Sequence, residues 1–338
     1  MLTLTNKMIN KDKLYVIACV SNPERYKRRW ELFQQFQRHM HDVEAKLITI
    51  EIAYGARYPQ VIEGKYNFCD TKTLLFRSEE ELWHKENMIN LGIQFLTQFD
   101  PEWDGVCWID GDVHFQRHDI IEETAHQLQH YDIVQMFSHA IDLDPTFKPI
   151  RNNNGFVYSW FQNNFEPPKG AGYGGYYGAA KGEFWHPGYA WAARRSALDQ
   201  IQLLDKAILG AGDHHMALGL IGQARRSLPN GVSKGYRDMV MQWQEQAAVL
   251  KQNIGYVPGT LTHYWHGSKS KRKYVERWKI ITDNQYDPVK DLSREPSGIY
   301  RLNMNHGARS IKLRNQIRAY FQQRNEDCIY TENEVYKI

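Results

Sequence analysis

The sequence predicts an α/β protein with a mostly parallel central sheet flanked by helices, and three observations predict it. Short apolar runs at 14–20, 46–53, 105–109 and 132–137 alternate with segments of helical periodicity. The first run, L-Y-V-I-A-C-V, is continuously apolar, as a strand covered on both faces must be. No internal repeat and no clear linker divides the 338 residues, so one compact doubly wound body is expected.

The elements follow in order. The run 14–20 is stopped by S-N-P. From Glu24 a helical pattern begins, with Tyr26, Trp30, Leu32, Phe33 and Phe36 on one side. Residues 46–53 alternate and end at Y-G, a second strand. A helix over about 79–97 carries Leu82, Ile89, Ile93 and Leu96 on one face, widened by Met88, Leu91 and Phe95. A third strand at 105–109, a helix near 119–130 and a strand at 132–137 complete this half. Between Ser138 and Trp185 the pattern dissolves, and the segment 170–178 (G-A-G-Y-G-G-Y-Y-G) reads as a lid or loop. Helices are then expected at about 195–208, from near Asp213, and over 236–253, followed by a basic helical extension over 283–338.

Composition narrows the function. With 42% hydrophobic and 24% charged residues the chain is globular, not disordered. A net charge of +3 names no partner, but 269–279 and the acid-free stretch 301–324 are locally basic. Such stretches favour phosphates, or are simply solvated helix faces. Cys19, Cys69, Cys107 and Cys328 have no metal-binding spacing and read as free thiols of a reducing compartment. With no membrane span and no secretory leader, a cytoplasmic protein is expected.

Residues 106–115 read V-C-W-I-D-G-D-V-H-F, with Asp110 and Asp112 at the carboxyl end of the third expected strand. Ligands of doubly wound sheets bind at that end. Two carboxylates on one tight turn repel unless a cation lies between them, and oxygen ligands suit Mn2+ or Mg2+. The plainer alternative is a strand-ending turn. Residues 259–268 (G-T-L-T-H-Y-W-H-G-S) place His263 and His266 three apart, able to face one ion. Lys269, Lys271, Arg272 and Lys273 follow, able to neutralise a diphosphate. In I-L-G-A-G-D-H-H-M-A, 208–217, Asp213 reads as a helix N-cap that could also take a hydroxyl proton, with His214 as the competing base.

In this order the motifs resemble glycosyltransferases of the GT-A fold, Rossmann-like, nearest the β-1,4-galactosyltransferase and polypeptide N-acetylgalactosaminyltransferase type. Those families carry an Asp-x-Asp or Asp-x-His metal motif, a W-G-x-E-D-like acceptor segment and a later histidine metal motif. The resemblance covers roughly 14–282. It implies a hexosyl- or pentosyltransferase with Asp112 as direct metal ligand, His266 and His263 completing the shell, and Asp110 at the ribose or a metal-bound water. It also implies nucleotide contacts from Lys85 and Asn87 in L-W-H-K-E-N-M-I-N-L-G and from Arg25 in A-C-V-S-N-P-E-R, with Lys269 and Lys271 at the diphosphate.

The donor implied is a nucleotide diphosphate sugar, a UDP-sugar first. Residues 1–136 would bind it, and 137–282 would bind the acceptor and complete the metal site. Inverting transfer follows if Asp213 or His214 is the base; the family's Glu-Asp is Asp-His here, which leaves the base open. The acceptor is expected to be a glycan or small molecule. The basic tail also admits a hydroxymethylated pyrimidine in DNA, or a non-enzymatic nucleic-acid-binding protein. A metal-dependent nucleotidyltransferase is disfavoured by the lack of a Walker-type loop.

Overall fold

A computed structural model describes residues 8–68, 72–167 and 185–328. β1 (Leu14–Ser21) is followed by α1 (Lys27–Asp42), β2 (Lys46–Tyr54), β3 (Lys72–Ser78), α2 (Lys85–Phe99) and β4 (Gly105–Ile109). β5 (Val113–Phe115), α3 (Ile120–Gln127), β6 (Ile133–Gln135), β7 (His139–Leu143), β8 (Pro149–Gly155) and α4 (Phe156–Gln162) come next. β9 (Trp185–His186), β10 (Ala190–Arg194), α5 (Arg195–Leu198), α6 (Gly212–Leu220) and α7 (Lys234–Ala247) lead to β11 (Ile254–Tyr256) and β12 (Thr260–His263). The chain ends in α8 (Trp278–Asp283), α9 (Pro288–Asp291), the hairpin β13 (Leu292–Arg294) and β14 (Tyr300–Leu302), and α10 (Ala308–Gln323).

The fold class is the one expected. Seven strands form the central sheet in the order β11-β6-β10-β4-β1-β2-β3, parallel throughout except for β10, which runs against both neighbours. Alternation along β1 divides its side chains between two layers. Tyr15 and Ile17 pack with Met88, Ile89 and Leu96 of α2, while Leu14, Val16 and Ala18 pack with Phe33, Phe36 and Met40 of α1. Helices cover both faces, which is why the strand is apolar from Leu14 to Val20. A second sheet, β5-β12-β7-β8-β9, stands beside the first.

Several expectations need correcting. The strand before the aspartates is fourth in chain order, because β3, an edge strand with mostly uncovered side chains, has no apolar alternation to announce it. The helix expected from 79 begins at Lys85. Residues 79–84 before it form bends and irregular backbone, and Trp83 N donates to Ile208 O at 2.9 Å. Residues 138–162 are ordered as β7, β8 and α4; β8 is P-I-R-N-N-N-G, poor in strand formers, and is held by its ladder to β7. The helix expected over 195–208 stops at Leu198, and Asn90 bonds both the N–H and the C=O of Leu203 in place of helical partners. The long helix runs Lys234–Ala247, capped by Ser233 Oγ accepting from Tyr236 N at 3.0 Å. The Gly/Tyr segment 170–178 lies outside the described residues, as does Cys69, and Cys19, Cys107 and Cys328 form no disulfide with one another. Among the described residues no helix is long and apolar enough to cross a membrane.

The glycine between the two aspartates has a packing cause. Gly111 backs onto the Phe33 ring so closely that a Cβ there would overlap it, and Phe33 is 2% exposed. Gly111→Ala is therefore expected to cost about 1–3 kcal/mol, the range for forcing a methyl into a packed core. A urea midpoint equal to wild type would show that Phe33 yields instead.

Candidate metal centre and binding cleft

β4 ends in mid-sheet between β1 and β10, where Asp110 N donates to Tyr189 O at 2.7 Å. The chain turns through Gly111 into β5, which pairs antiparallel with β12 so that Val113 lies opposite His263. Tyr264 N donates to Asp112 O at 2.8 Å. This ladder sets a carboxylate beside an imidazole from a segment far along the chain, and His266 completes the group. One ligand atom from each of Asp112, His263 and His266 lies within 4.8 Å of the others. His266 Nε2 is 2.9 Å from Asp112 Oδ2 and 3.3 Å from His263 Nε2. Asp112 Oδ1 is buried without a hydrogen-bond partner, an arrangement that calls for positive charge. The orphaned oxygen and the mixed nitrogen and oxygen donor set fit a divalent cation.

Each imidazole is backed by a buried carboxylate. Asp142 of β7, the strand beside β12, lies with Oδ1 2.8 Å from His263 Nδ1. It also accepts from Tyr189 Oη at 2.7 Å and Asn153 Nδ2 at 2.9 Å, and pairs with Lys269. Glu326 lies with Oε2 3.4 Å from His266 Nδ1, held by Arg29 Nε at 2.8 Å and Arg324 Nε at 2.8 Å. Burial alone would raise Asp142, but the His263 hydrogen bond and the Lys269 charge hold it well below the usual carboxylate range. The Arg29 and Arg324 charges do the same for Glu326 against its own burial. Asp112 is likewise held low, with the imidazoles and Arg272 overcoming burial.

The group sits in a cleft of about 580 Å3, within the range of small-molecule sites. The carboxyl ends of β1 and β4 line one part of it, and Lys269, Arg272 and Lys273 line another. At the end of β4 Lys85 pairs with Asp110, and burial raises Asp110. Beside them Glu86, 4% exposed, accepts from Trp83 Nε1 at 3.1 Å. Burial and the neighbouring Asp213, opposed by Lys85, push Glu86 up to about 7.

Of the residues singled out from the sequence, Asp110, Asp112, Lys85, His263, His266, Lys269, Asp213 and His214 line this cleft. Three do not. Asn87 is two residues beyond Lys85 and so roughly 200° round the helix. There it donates to Gly298 O and accepts from Tyr300 N, both at 3.3 Å, tying down the β13–β14 hairpin. Arg25 is exposed and lies over the Trp30 ring at 5.7 Å, and Lys271 Nζ approaches Cys328 Sγ at 3.6 Å. Asp213 is not the N-cap: that position is Ala211, in the left-handed region at φ 75°, and Asp213 lies in the first turn of α6. His214 does not keep a near-neutral pKa, since burial lowers it to about 4.

Four participants carry little or no signal in the sequence. Asp142 is an acid inside the apolar A-I-D-L, a pattern that flags a buried, partnered carboxylate. Glu326 is the first carboxylate after the acid-free stretch 301–324. Arg29 and Glu86 carry no mark beyond helix membership. Half of the six Lys and Arg cations in 301–324 are paired internally, with Arg309 on Asp291, Arg318 on Glu81 and Arg324 on Glu326.

No protein-family model and no curated protein matches the chain. Among solved structures it is similar to one from Desulfovibrio desulfuricans G20, described as a candidate nucleotide-diphospho-sugar transferase. That match covers 91% of this chain and 98% of the other, at 12% identity and a TM-score of 0.34.

Glu86 generates a pH prediction. Its folded pKa of about 7 stands above the unfolded value of 4.5, so the folded chain binds a proton that the unfolded chain releases. This contribution to stability is fully present below 4.5 and lost as pH rises through 7. The shift corresponds to at most about 3 kcal/mol. Glu86→Gln, which keeps an acceptor for Trp83, should therefore gain stability over wild type at pH 8 relative to pH 4.5. Thermal melts whose difference does not change with pH would contradict this.

Proposed function

We propose that the chain is a metal-dependent glycosyltransferase that moves a sugar from a nucleoside diphosphate sugar to an acceptor hydroxyl. The observation that carries the reading is the convergence of Asp112, His263 and His266 at the carboxyl end of the central sheet, inside one cleft. In this reading Asp112, His263 and His266 hold the cation, Mn2+ first by donor chemistry. Bound there, it supplies Lewis acidity toward the departing diphosphate.

The remaining work falls to the chain itself. Arg272 and Lys273 offset charge on the diphosphate as it leaves. Asp110, held by Lys85, faces the ribose or sugar. Asp213 accepts the acceptor's proton, because His214 is made too weak a base by burial. A base placed opposite the leaving group inverts the anomeric carbon. Residues 1–136 supply most donor contacts, 137–282 the acceptor side and the imidazoles, and the extension beyond 283 braces them. A UDP-sugar is the first donor to try, with a glycan or small-molecule acceptor. The nucleic-acid alternatives rest on the basic tail, whose Arg309, Arg318 and Arg324 are already paired.

Mn2+ together with a nucleoside diphosphate should raise the melting temperature of wild type, and Asp112→Ala should abolish that protection. Asp213→Asn should keep it while turnover, read as donor consumption over a panel of nucleotide sugars, falls about 10²–10⁴-fold. Absence of metal-dependent protection by any nucleoside diphosphate would remove the reading. Loss of protection in Asp213→Asn would return that residue to a structural role.

A further inference from the structure

The centre's braces include a residue from the far end of the chain. We propose that Glu326 is a positioning residue of the metal centre, orienting His266 so that Nε2 faces Asp112; this rests on the metal site of the transferase reading. Four observations bear on it. Glu326 is 1% exposed and sets Oε2 3.4 Å from His266 Nδ1, the ring nitrogen turned away from Asp112. Asp142 stands in the same relation to His263, with Oδ1 2.8 Å from Nδ1, so both imidazoles carry a carboxylate at the same atom. A carboxylate there fixes the ring and raises its basicity toward a cation at Nε2.

The third observation is that the segment carrying Glu326 is seated on the site. Gly267, next to His266, has φ 89°, and a Cβ there would lie 3.0 Å from Glu326 Cα, so the two backbones touch. The fourth is that the segment is pinned on its other side. Tyr26 Oη accepts from Asn325 N at 3.0 Å and donates to Gln322 O at 2.8 Å. The Asp327 carboxylate accepts from Lys27 N at 2.9 Å and Arg28 N at 2.7 Å. Asp327 thus caps α1, which has no side-chain cap of its own. The same helix supplies Arg29 to Glu326. A counter-ion serving only Arg29 and Arg324 would need none of this alignment with His266.

The test uses the full chain and Mn2+ alone, with free ion followed by electron paramagnetic resonance, so that no turnover is involved. Glu326→Gln keeps the shape and removes the charge, and should raise the Mn2+ Kd about 10- to 100-fold. Glu326→Asp preserves the charge between the two arginines, and with it folding, but draws the carboxylate back from Nδ1; its Kd should rise by a smaller factor. Asp327→Asn serves as the structural comparison, lowering the melting temperature by loss of the helix cap while raising Kd by less than Glu326→Gln does. If wild type binds Mn2+ and both Glu326 variants bind within twofold of it, Glu326 is only a counter-ion and the proposal is overturned. It is equally overturned if Asp327→Asn weakens Mn2+ binding as much as Glu326→Gln does. If wild type itself binds no Mn2+, the metal reading falls first and this inference falls with it.

Discussion

The antiparallel pairing of β5 with β12 is the contact on which the cleft depends. β4 carries the aspartate turn out of the central sheet, and β5, three residues long, commits it to the second sheet. β12 lies between β5 and β7, so His263 falls between Asp112 on one side and Asp142 on the other. Strand side chains alternate, so a slip of one residue would exchange buried His263 for Thr262 or Tyr264, which are partly exposed. Register is enforced from both neighbours: Leu261 lies opposite Phe115, and Thr260 pairs with His139. The two sheets thus fix His263 directly, while Asp112 and His266 sit on the short segments that enter β5 and leave β12.

That placement separates the two aspartates of one motif. Asp112 meets imidazoles and Arg272 and is held low, while Asp110 meets Lys85 and remains raised by burial among Glu86 and Asp213. A single turn therefore faces two electrostatic environments. In the proposed reading the first suits a cation, and the second suits neutral hydroxyl groups with a carboxylate to take a proton. Lys85 keeps these carboxylates from repelling one another, since its own charge is strengthened by Asp110, Glu86 and Asp213 against burial.

The parts of the fold readable in the sequence are those governed by local pattern. β1, β2 and β4 are apolar runs covered on both sides, and Asp110 and Asp112 stand out because carboxylates end such a run. His263 and His266 are legible from spacing. What escapes is held by contacts between distant segments. β8 carries three asparagines in a row, kept extended by β7, and Asn90 replaces the helical bonds expected around Leu203. Asn87 is misplaced by its motif because a motif records neighbours in sequence and ignores the turn of the helix between them. Glu326 is invisible for the same reason in stronger form, since its partners Arg29 and His266 come from opposite ends of the chain.

The balance of charge argues for a cation. Lys85 is matched by Asp110, Lys269 by Asp142, and Arg29 and Arg324 share Glu326. Arg272 bonds Tyr274 Oη at 3.0 Å and His266 Nε2 at 2.9 Å. A cleft that looks basic by composition is therefore close to internally balanced, and an incoming diphosphate must compete with carboxylates already in place. Surface cations that could rearrange would be screened by solvent and worth little. Positive charge placed on Asp112, His263 and His266 leaves the four carboxylate pairs intact, but a cation at His266 Nε2 requires Arg272 to release that atom. In the proposed reading, a cation held there would add its charge to that of Arg272 and Lys273, which also line the cleft.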